Sequence, residues 1–426
     1  MKQKIVLYGL SNDIERVYNQ LKPCYDIIGL SDRDVDRGNS CAKALKIKYI
    51  LPEDLKNITF DFVYVTARSR KYGDIHRALV YTHEVPRIKI KPIDRFYEEL
   101  EFSFGELNPK KTIYVVRVPY TKSGIFAIIH TLFENLIDLP SEYDVFFDLM
   151  HYDTTYMKNG ELGIKNVWEN WFKQPCGMSA TEVYNSKCVI LSPMGERFMT
   201  PKFFRKDKNM LKKYSDAYRK YIIPNEVFSK ILEEERKKIF KDNKKVCGVI
   251  YRGTDYLKLK PYMHSIHPDC DKMISKVKEL RKKWKFDKIY LSTEDAIGQK
   301  RFIEEFGEDI LYSERELIDK YPTSSAGVKF QDAIVNIKFN RENDEYLKGV
   351  EYLRQVYILA ECQGLITADN TSLVGAMLIS GGFDEEYVFD DLGIYGIDDD
   401  SYCTPWGHYV LLQEEKKIEK SLRNED

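Results

Sequence analysis

Val246-Cys247-Gly248-Val249-Ile250-Tyr251-Arg252-Gly253-Thr254-Asp255 decides the fold. The apolar run Val246 to Val249 reads as a short buried strand that ends in a Gly-containing turn. A guanidinium placed where a strand opens into a turn can grip two phosphate oxygens at once, and an Asp three residues on can orient it or accept a proton. Taken alone, such a pair more often forms a structural ion pair. Two further segments bear on the choice: Lys288 to Asp295 reads KIYLSTED and Gly364 to Ser372 reads GLITADNTS, both strand-like, both ending in polar residues and both followed by helix-like sequence. In a parallel α/β sheet ligands sit at the carboxyl ends of strands, so three polar strand ends within about 120 residues converge on one crevice.

With these segments in view, the chain resembles the fucosyltransferase superfamily of GT-B fold: core alpha-1,6-fucosyltransferases, nodulation fucosyltransferases and protein O-fucosyltransferases, in a bacterial member. Their first motif, roughly His-x-Arg-x-Thr-Asp, is similar to Arg252, Thr254 and Asp255 here. Their second, Ala-Thr-Asp-Asp, is similar to Ser292-Thr293-Glu294-Asp295, and their third, a strand followed by Thr/Ser-Ser, to Thr371-Ser372. Upstream, Asn166, Trp168, Glu169, Phe172, Gln174 and Pro175 resemble a tract of the bacterial members. Two positions depart. Ile250 stands where the family has histidine, and the aspartate that reads guanine falls at Gln355. Glu351, four residues earlier on one face of the helix-like run Tyr346 to Cys362, is a candidate substitute.

The resemblance implies an inverting glycosyltransferase that moves a sugar, fucose the first guess, from a nucleotide-diphosphate sugar, GDP-linked, to a glycan or polysaccharide acceptor. Arg252 would hold the β-phosphate, with Asp255 beside it as orienter or proton acceptor. Ser372 and Thr371 would donate to phosphate oxygens. Thr293 and Asp295 would line the nucleoside side, and Tyr251, His264, Glu351 and Gln355 complete the donor set. The family works without metal or cofactor; Glu294-Asp295 is the one acidic pair to consider as a metal ligand. The alternative is a catalytically reduced sugar-nucleotide-binding module that serves as an assembly partner in polysaccharide synthesis.

Composition bounds the partners. Lys+Arg 66 against Asp+Glu 67 gives a net charge of −1, without the global field expected for nucleic-acid binding. The eight cysteines form no CxxC pair, which suits a reducing compartment. Met1-Lys2-Gln3-Lys4 runs straight into a strand and no apolar run is long enough to span a bilayer, so the expectation is a cytoplasmic protein, with peripheral association to membrane-linked glycan assembly as a partner expectation.

Along the chain the pattern predicts an α/β protein: a GT-B-like pair of Rossmann-like domains preceded by an extra small Rossmann-like N-terminal domain. That accessory domain (1–95) alternates strands Lys4–Tyr8, Asp26–Leu30 and Phe60–Thr66 with helix-like Asp13–Leu21 and Gly73–Tyr81. Its turn Gly9-Leu10-Ser11-Asn12-Asp13 lacks the GxGxxG pattern, although Asp32 sits where a ribose-binding acid would. The acceptor half (105–240) carries strands Thr112–Val118 and Asp144–Asp148, helix-like Gly124–Leu136, and the candidate acceptor contacts Asp148, His151 and Asp153. Tyr214 to Phe240 reads as one helical stretch leading into the nucleotide-sugar half (241–412), followed by a charged tail (413–426). Trp168 and Trp171 suit either sugar stacking or the core, with the core favoured.

Overall fold

A computed structural model describes residues 2–395, apart from 12–13, 23–24, 67–74, 76–77, 81, 87–88, 93–99, 118–122, 135, 137–138, 152–153, 193–207, 242–243, 261–263, 320–335, 391 and 394. Asp153, most of the expected helix Gly73–Tyr81 and the tail lie outside these residues. The chain divides into two compact units, one built from Met1–Leu100 and one from Glu101–Leu191 with Met199–Asp398.

The first unit holds β1 (Lys4–Tyr8), α1 (Ile14–Leu21), β2 (Asp26–Ser31), α2 (Val35–Leu45), β3 (Phe62–Val65) and β4 (Ile90–Pro92). The strands form one parallel sheet in the order β2-β1-β3-β4, with Ile5, Val6 and Leu7 at its fully buried centre. Asp32 accepts from the Leu10 amide at 2.9 Å and the Asp34 amide at 2.8 Å, so its carboxylate ties the two turns together.

The second unit begins with β5 (Leu100–Phe102), β6 (Ile113–Arg117), α3 (Ile125–Glu134), β7 (Asp144–Asp148), α4 (Ala180–Val183) and β8 (Val189–Leu191), in the sheet order β5-β8-β6-β7. Strand β6 runs parallel to both β7 and β8. The stretch expected as one helix is two, α5 (Lys208–Tyr221) and α6 (Glu226–Ile239). Pro224 pushes the residue before it out of the helical region, and Asn225 then starts the second helix by accepting from the Phe228 amide at 2.8 Å.

Beyond them come β9 (Val246–Tyr251), α7 (Asp255–Leu259), α8 (Cys270–Trp284), β10 (Lys288–Thr293), α9 (Ala296–Phe306), β11 (Ile310–Leu311), α10 (Asp344–Leu359), β12 (Gly364–Thr367), α11 (Thr371–Ser380) and β13 (Glu385–Val388). Strands β9 to β13 make a wholly parallel sheet in the order β11-β10-β9-β12-β13. Every residue of β9 is buried, as expected for a strand covered on both faces. Helix α8 shows how sequence sets such a cover. Asp269 caps its start, Met273, Val277, Leu280 and Trp284 form its buried stripe, and Lys285 ends it in the left-handed conformation.

The two sheets of this unit are joined through close helix packing. A Cβ at Gly349 on α10 would overlap the Trp171 ring, and one at Gly375 on α11 would overlap Phe126 of α3. Trp168 and Trp171 are both fully buried, and the Trp168 indole donates to the Lys173 carbonyl at 3.0 Å, so both tryptophans belong to the core. Among the described residues no helix is long and apolar enough to cross a membrane.

Candidate functional site

Strand order reverses between β9 and β12: β10 and β11 lie on one side of β9, β12 and β13 on the other. Helices leaving adjacent strands at such a point diverge to opposite faces and open a crevice at the carboxyl ends. Arg252, the first residue beyond β9, stands at that crevice.

Arg252 is held between two carboxylates. Its Nη2 donates to Asp255 Oδ1 and Oδ2 at 2.9 and 3.1 Å, and its Nε donates to Glu294 Oε1 at 2.9 Å. Thr254 Oγ1 donates to the same Glu294 oxygen at 2.7 Å, and the Tyr256 ring lies 5.0 Å from the guanidinium carbon. Burial works against the Arg252 charge, but Asp255 and Glu294 outweigh it and raise its pKa well above the usual value. Gly253 makes this crowding feasible: a Cβ there would overlap Asp295 Oδ2 and press on the Tyr251 ring.

Asp295 caps α9 by accepting from the Ile297 amide at 3.0 Å, while its own amide donates to Thr293 Oγ1 at 3.1 Å. Tyr251 turns its ring into the core, 5.9 Å from Phe302. On the β12 side, Ser372 is buried at the start of α11 with its hydroxyl 2.5 Å from Tyr352 OH, and half-buried Thr371 precedes it. Asn370 caps that helix through the Leu373 amide at 3.0 Å.

The histidines pack beside Arg252 around Tyr256, whose ring centroid lies 5.8 Å from that of His264 and 4.0 Å from that of His267. His267 Nε2 sits 3.2 Å from the Asp369 carbonyl; a carbonyl only accepts, so this nitrogen carries the proton. Burial, and next the Arg252 charge, push the His267 pKa down to about 3.

Arg315, Tyr352 and Tyr256 enter the site without having been singled out from the sequence, and Glu294, read there as part of the second motif and a candidate metal ligand, is instead a partner of Arg252. Arg315 follows β11, and its Nη1 donates to Gln355 Oε1 at 3.0 Å. Burial lowers its pKa, while Glu294 and Glu351 act in the opposite sense. Glu351 is paired with Arg341 at 2.5 and 3.0 Å. Gln355 also accepts from Ser292 Oγ at 3.2 Å. The two residues expected to share a face of α10 thus make different contacts.

Asp148 and His151 form a separate group at the carboxyl end of β7. Asp148 Oδ2 accepts from His151 Nδ1 at 2.7 Å and from Tyr184 OH at 2.5 Å. Burial alone would raise the Asp148 pKa, but the hydrogen bonds from His151 and Tyr184 bring it below the usual carboxylate value, and the bond to Asp148 raises that of His151. Further along this segment, Tyr156 OH accepts from the Ile125 amide at 2.8 Å, and burial raises its pKa. Among the described residues no group of three or more His, Cys, Asp or Glu is placed to hold a metal.

No family model matches this chain, and no curated protein sequence matches it. Among solved structures it is similar to the fucosyltransferase NodZ from Bradyrhizobium, at TM-score 0.38 and 11% identity, over 67% of this chain and 97% of that one. It is also similar to NodZ alpha-1,6-fucosyltransferase soaked with GDP-fucose, at TM-score 0.36 and 11% identity, over 63% of this chain and 93% of that one.

Proposed function

We propose that the chain is an inverting glycosyltransferase that binds a nucleoside-diphosphate sugar at the carboxyl edge of β9, β10 and β12. The observation that carries this is Arg252, its side chain 11% exposed, at the point where strand order reverses, with buried Ser372 at the facing helix start. A diphosphate is a stronger bidentate partner for a guanidinium than a single carboxylate, because two of its oxygens match the fork and it carries more charge. Donor binding exchanges Asp255 for phosphate oxygens on Arg252.

In the reaction an acceptor hydroxyl oxygen forms the new bond to the anomeric carbon as the bond from that carbon to the phosphate oxygen breaks. The nucleoside diphosphate leaves with the electron pair. Arg252 and the hydroxyl of Ser372 meet the charge that develops on it, where preorganised donors lower a barrier most. The hydroxyl proton passes to a carboxylate or imidazole at the site, and Asp255, beside Arg252, is the first carboxylate to consider. His151, oriented through Nδ1 by buried Asp148, offers the acceptor a second hydrogen-bonding group.

The motif resemblance gives GDP-fucose as the first donor to try and a glycan or polysaccharide as acceptor, with no metal assigned to the diphosphate. The test is a panel of nucleotide sugars assayed for release of nucleoside diphosphate, with and without glycan acceptors, alongside calorimetry of the same ligands. Saturable binding with turnover is expected. Binding without turnover for every donor would reduce the chain to a binding module, and absence of all binding would refute the site.

A further inference from the structure

The first unit carries polar groups that the donor crevice does not use. Three hydroxyls at the carboxyl end of its sheet have buried oxygens and no hydrogen-bond partner among the described residues: Tyr8, the last residue of β1, Ser31, the last residue of β2, and Ser11 in the turn after β1. Tyr8 is 2% exposed and Ser31 fully buried, and as register partners on neighbouring parallel strands they project to one face of the sheet. A buried hydroxyl left unpaired is costly, so three at one strand end point to a partner that the fold itself does not supply.

Half-buried Leu10, Asp32, Tyr49 and His83 surround them. The His83 ring centroid lies 6.5 Å from that of Tyr8, and Tyr49 OH donates to the Asp32 carbonyl at 2.6 Å. Burial, the largest influence on the Tyr8 hydroxyl, raises its pKa to about 12; Arg33, Asp32, Tyr49 and Glu53 act on the same group and so share its neighbourhood. Burial also lowers the pKa of His83, which leaves that ring uncharged at neutral pH.

The chemistry of the missing partner follows from what these groups reject. The turn amides that would hold a phosphate are taken: Gly9 N–H donates to the Ser31 carbonyl and Leu10 N–H to Asp32 Oδ2, both at 2.9 Å. Asp32 and Glu53 outnumber Arg33 around the Tyr8 hydroxyl, and this excess negative charge repels an anion. An apolar group would leave the hydroxyls unpaired. A sugar ring meets every condition. Its hydroxyls donate and accept as those of Tyr8, Ser11 and Ser31 do, and each Asp32 oxygen, after accepting one amide, keeps a lone pair for one member of a vicinal pair of hydroxyls.

We infer that the first unit binds the vicinal diol of an uncharged sugar ring at the carboxyl ends of β1 and β2, with Asp32 accepting from the diol and Tyr8, Ser11 and Ser31 forming the polar floor. The ring belongs to a free saccharide or to the ribose of a nucleoside. This site shares no residue with the Arg252 crevice and does not depend on the glycosyltransferase reading.

The test is a saturation-transfer NMR titration of the full chain with two sets of probes: uridine, adenosine and guanosine beside their 2′,3′-dideoxy forms, and fucose, glucose, galactose and N-acetylglucosamine. At least one probe with a vicinal diol should bind, and Tyr8→Phe should weaken it by about tenfold, the scale of one buried hydrogen bond. Because the hydroxyl has no partner in the free chain, the same substitution should not lower the melting midpoint. Ser31→Ala carries the same expectation where Tyr8→Phe does not fold. Ribonucleoside binding that the dideoxy form lacks supports the inference and assigns the ring to ribose; binding of monosaccharides alone supports it and assigns the ring to a free saccharide. Absence of binding by every probe overturns the inference, as do affinities that are all unchanged in a folded variant. So does a dideoxynucleoside that binds as tightly as its ribonucleoside while no monosaccharide binds.

Discussion

Arg252→Lys separates a catalytic guanidinium from a structural one. The substitution keeps a positive charge of similar reach but replaces a fork engaging Asp255 at 2.9 and 3.1 Å and Glu294 at 2.9 Å with a single ammonium. An ammonium that stays with Asp255 leaves Glu294, 4% exposed, with the Thr254 hydroxyl as its remaining neutral donor. Because charge is retained, the loss of stability should fall well below the ~3–5 kcal/mol of a buried pair stripped of one partner. On the chemical step the expected loss is larger relative to the wild type: losing one preorganised contact to the departing diphosphate costs about 2–4 kcal/mol, roughly two orders of magnitude in rate. The assay pairs denaturant melts with kcat for nucleoside diphosphate release at saturating donor. A variant with near-wild-type turnover and a lowered melting midpoint would refute the catalytic role of Arg252 and leave it as a structural partner of Asp255.

Three other outcomes follow from the same geometry. Gly253→Ala should destabilise the chain by about 1–3 kcal/mol, since the new methyl displaces the Asp295 carboxylate that caps α9; an unchanged urea midpoint would contradict the tight turn. His267 stays neutral in the fold down to about pH 3, whereas the unfolded chain protonates it near 6.5, so the unfolded state binds more protons between these values and stability is lost as pH falls through that window. Between pH 7 and 5 the loss from this group is about 2 kcal/mol, and His267→Gln should lack it; equal acid sensitivity in both proteins would show that His267 is not buried neutral. Chelation with EDTA should leave transfer intact because the diphosphate charge is assigned to Arg252 and hydroxyl donors; loss of activity restored by Mg²⁺ or Mn²⁺ would reassign Glu294 and Asp295 as ligands.

Much of the crevice was legible because its signals are local. The strands that became β9, β10 and β12 are apolar runs ending abruptly in hydroxyl, acidic and basic residues, and a parallel sheet brings such ends together whatever the intervening sequence. Pairings across the sheet were not legible. Arg315 follows β11, which has only two residues and no readable period, and it lies in the polar run Ser313-Glu314-Arg315-Glu316 that looks like any solvated loop. Glu351 and Gln355 are four apart on α10, so helical geometry put them on one face, yet their partners Arg341 and Arg315 come from other segments that spacing cannot locate. The break between α5 and α6 was readable from Pro224 and Asn225 but was masked by charged residues at helical spacing on either side. The dyad of Asp148 and His151 was visible as a pair of polar residues after a strand, while Tyr184, which completes it, lies 36 residues away.

The central claim is that the crevice between β9 and β12 releases a nucleoside diphosphate from a sugar donor. It is tested most directly by single-turnover release of radiolabelled sugar from a panel of GDP-, UDP-, dTDP- and CDP-sugars, run in parallel with wild type and Arg252→Lys at saturating donor. The account predicts turnover with at least one donor in the wild type, with about a hundredfold loss in the variant at similar nucleoside affinity. Turnover that is equal in the two proteins, or a wild-type chain that binds none of the nucleoside diphosphates, would contradict it.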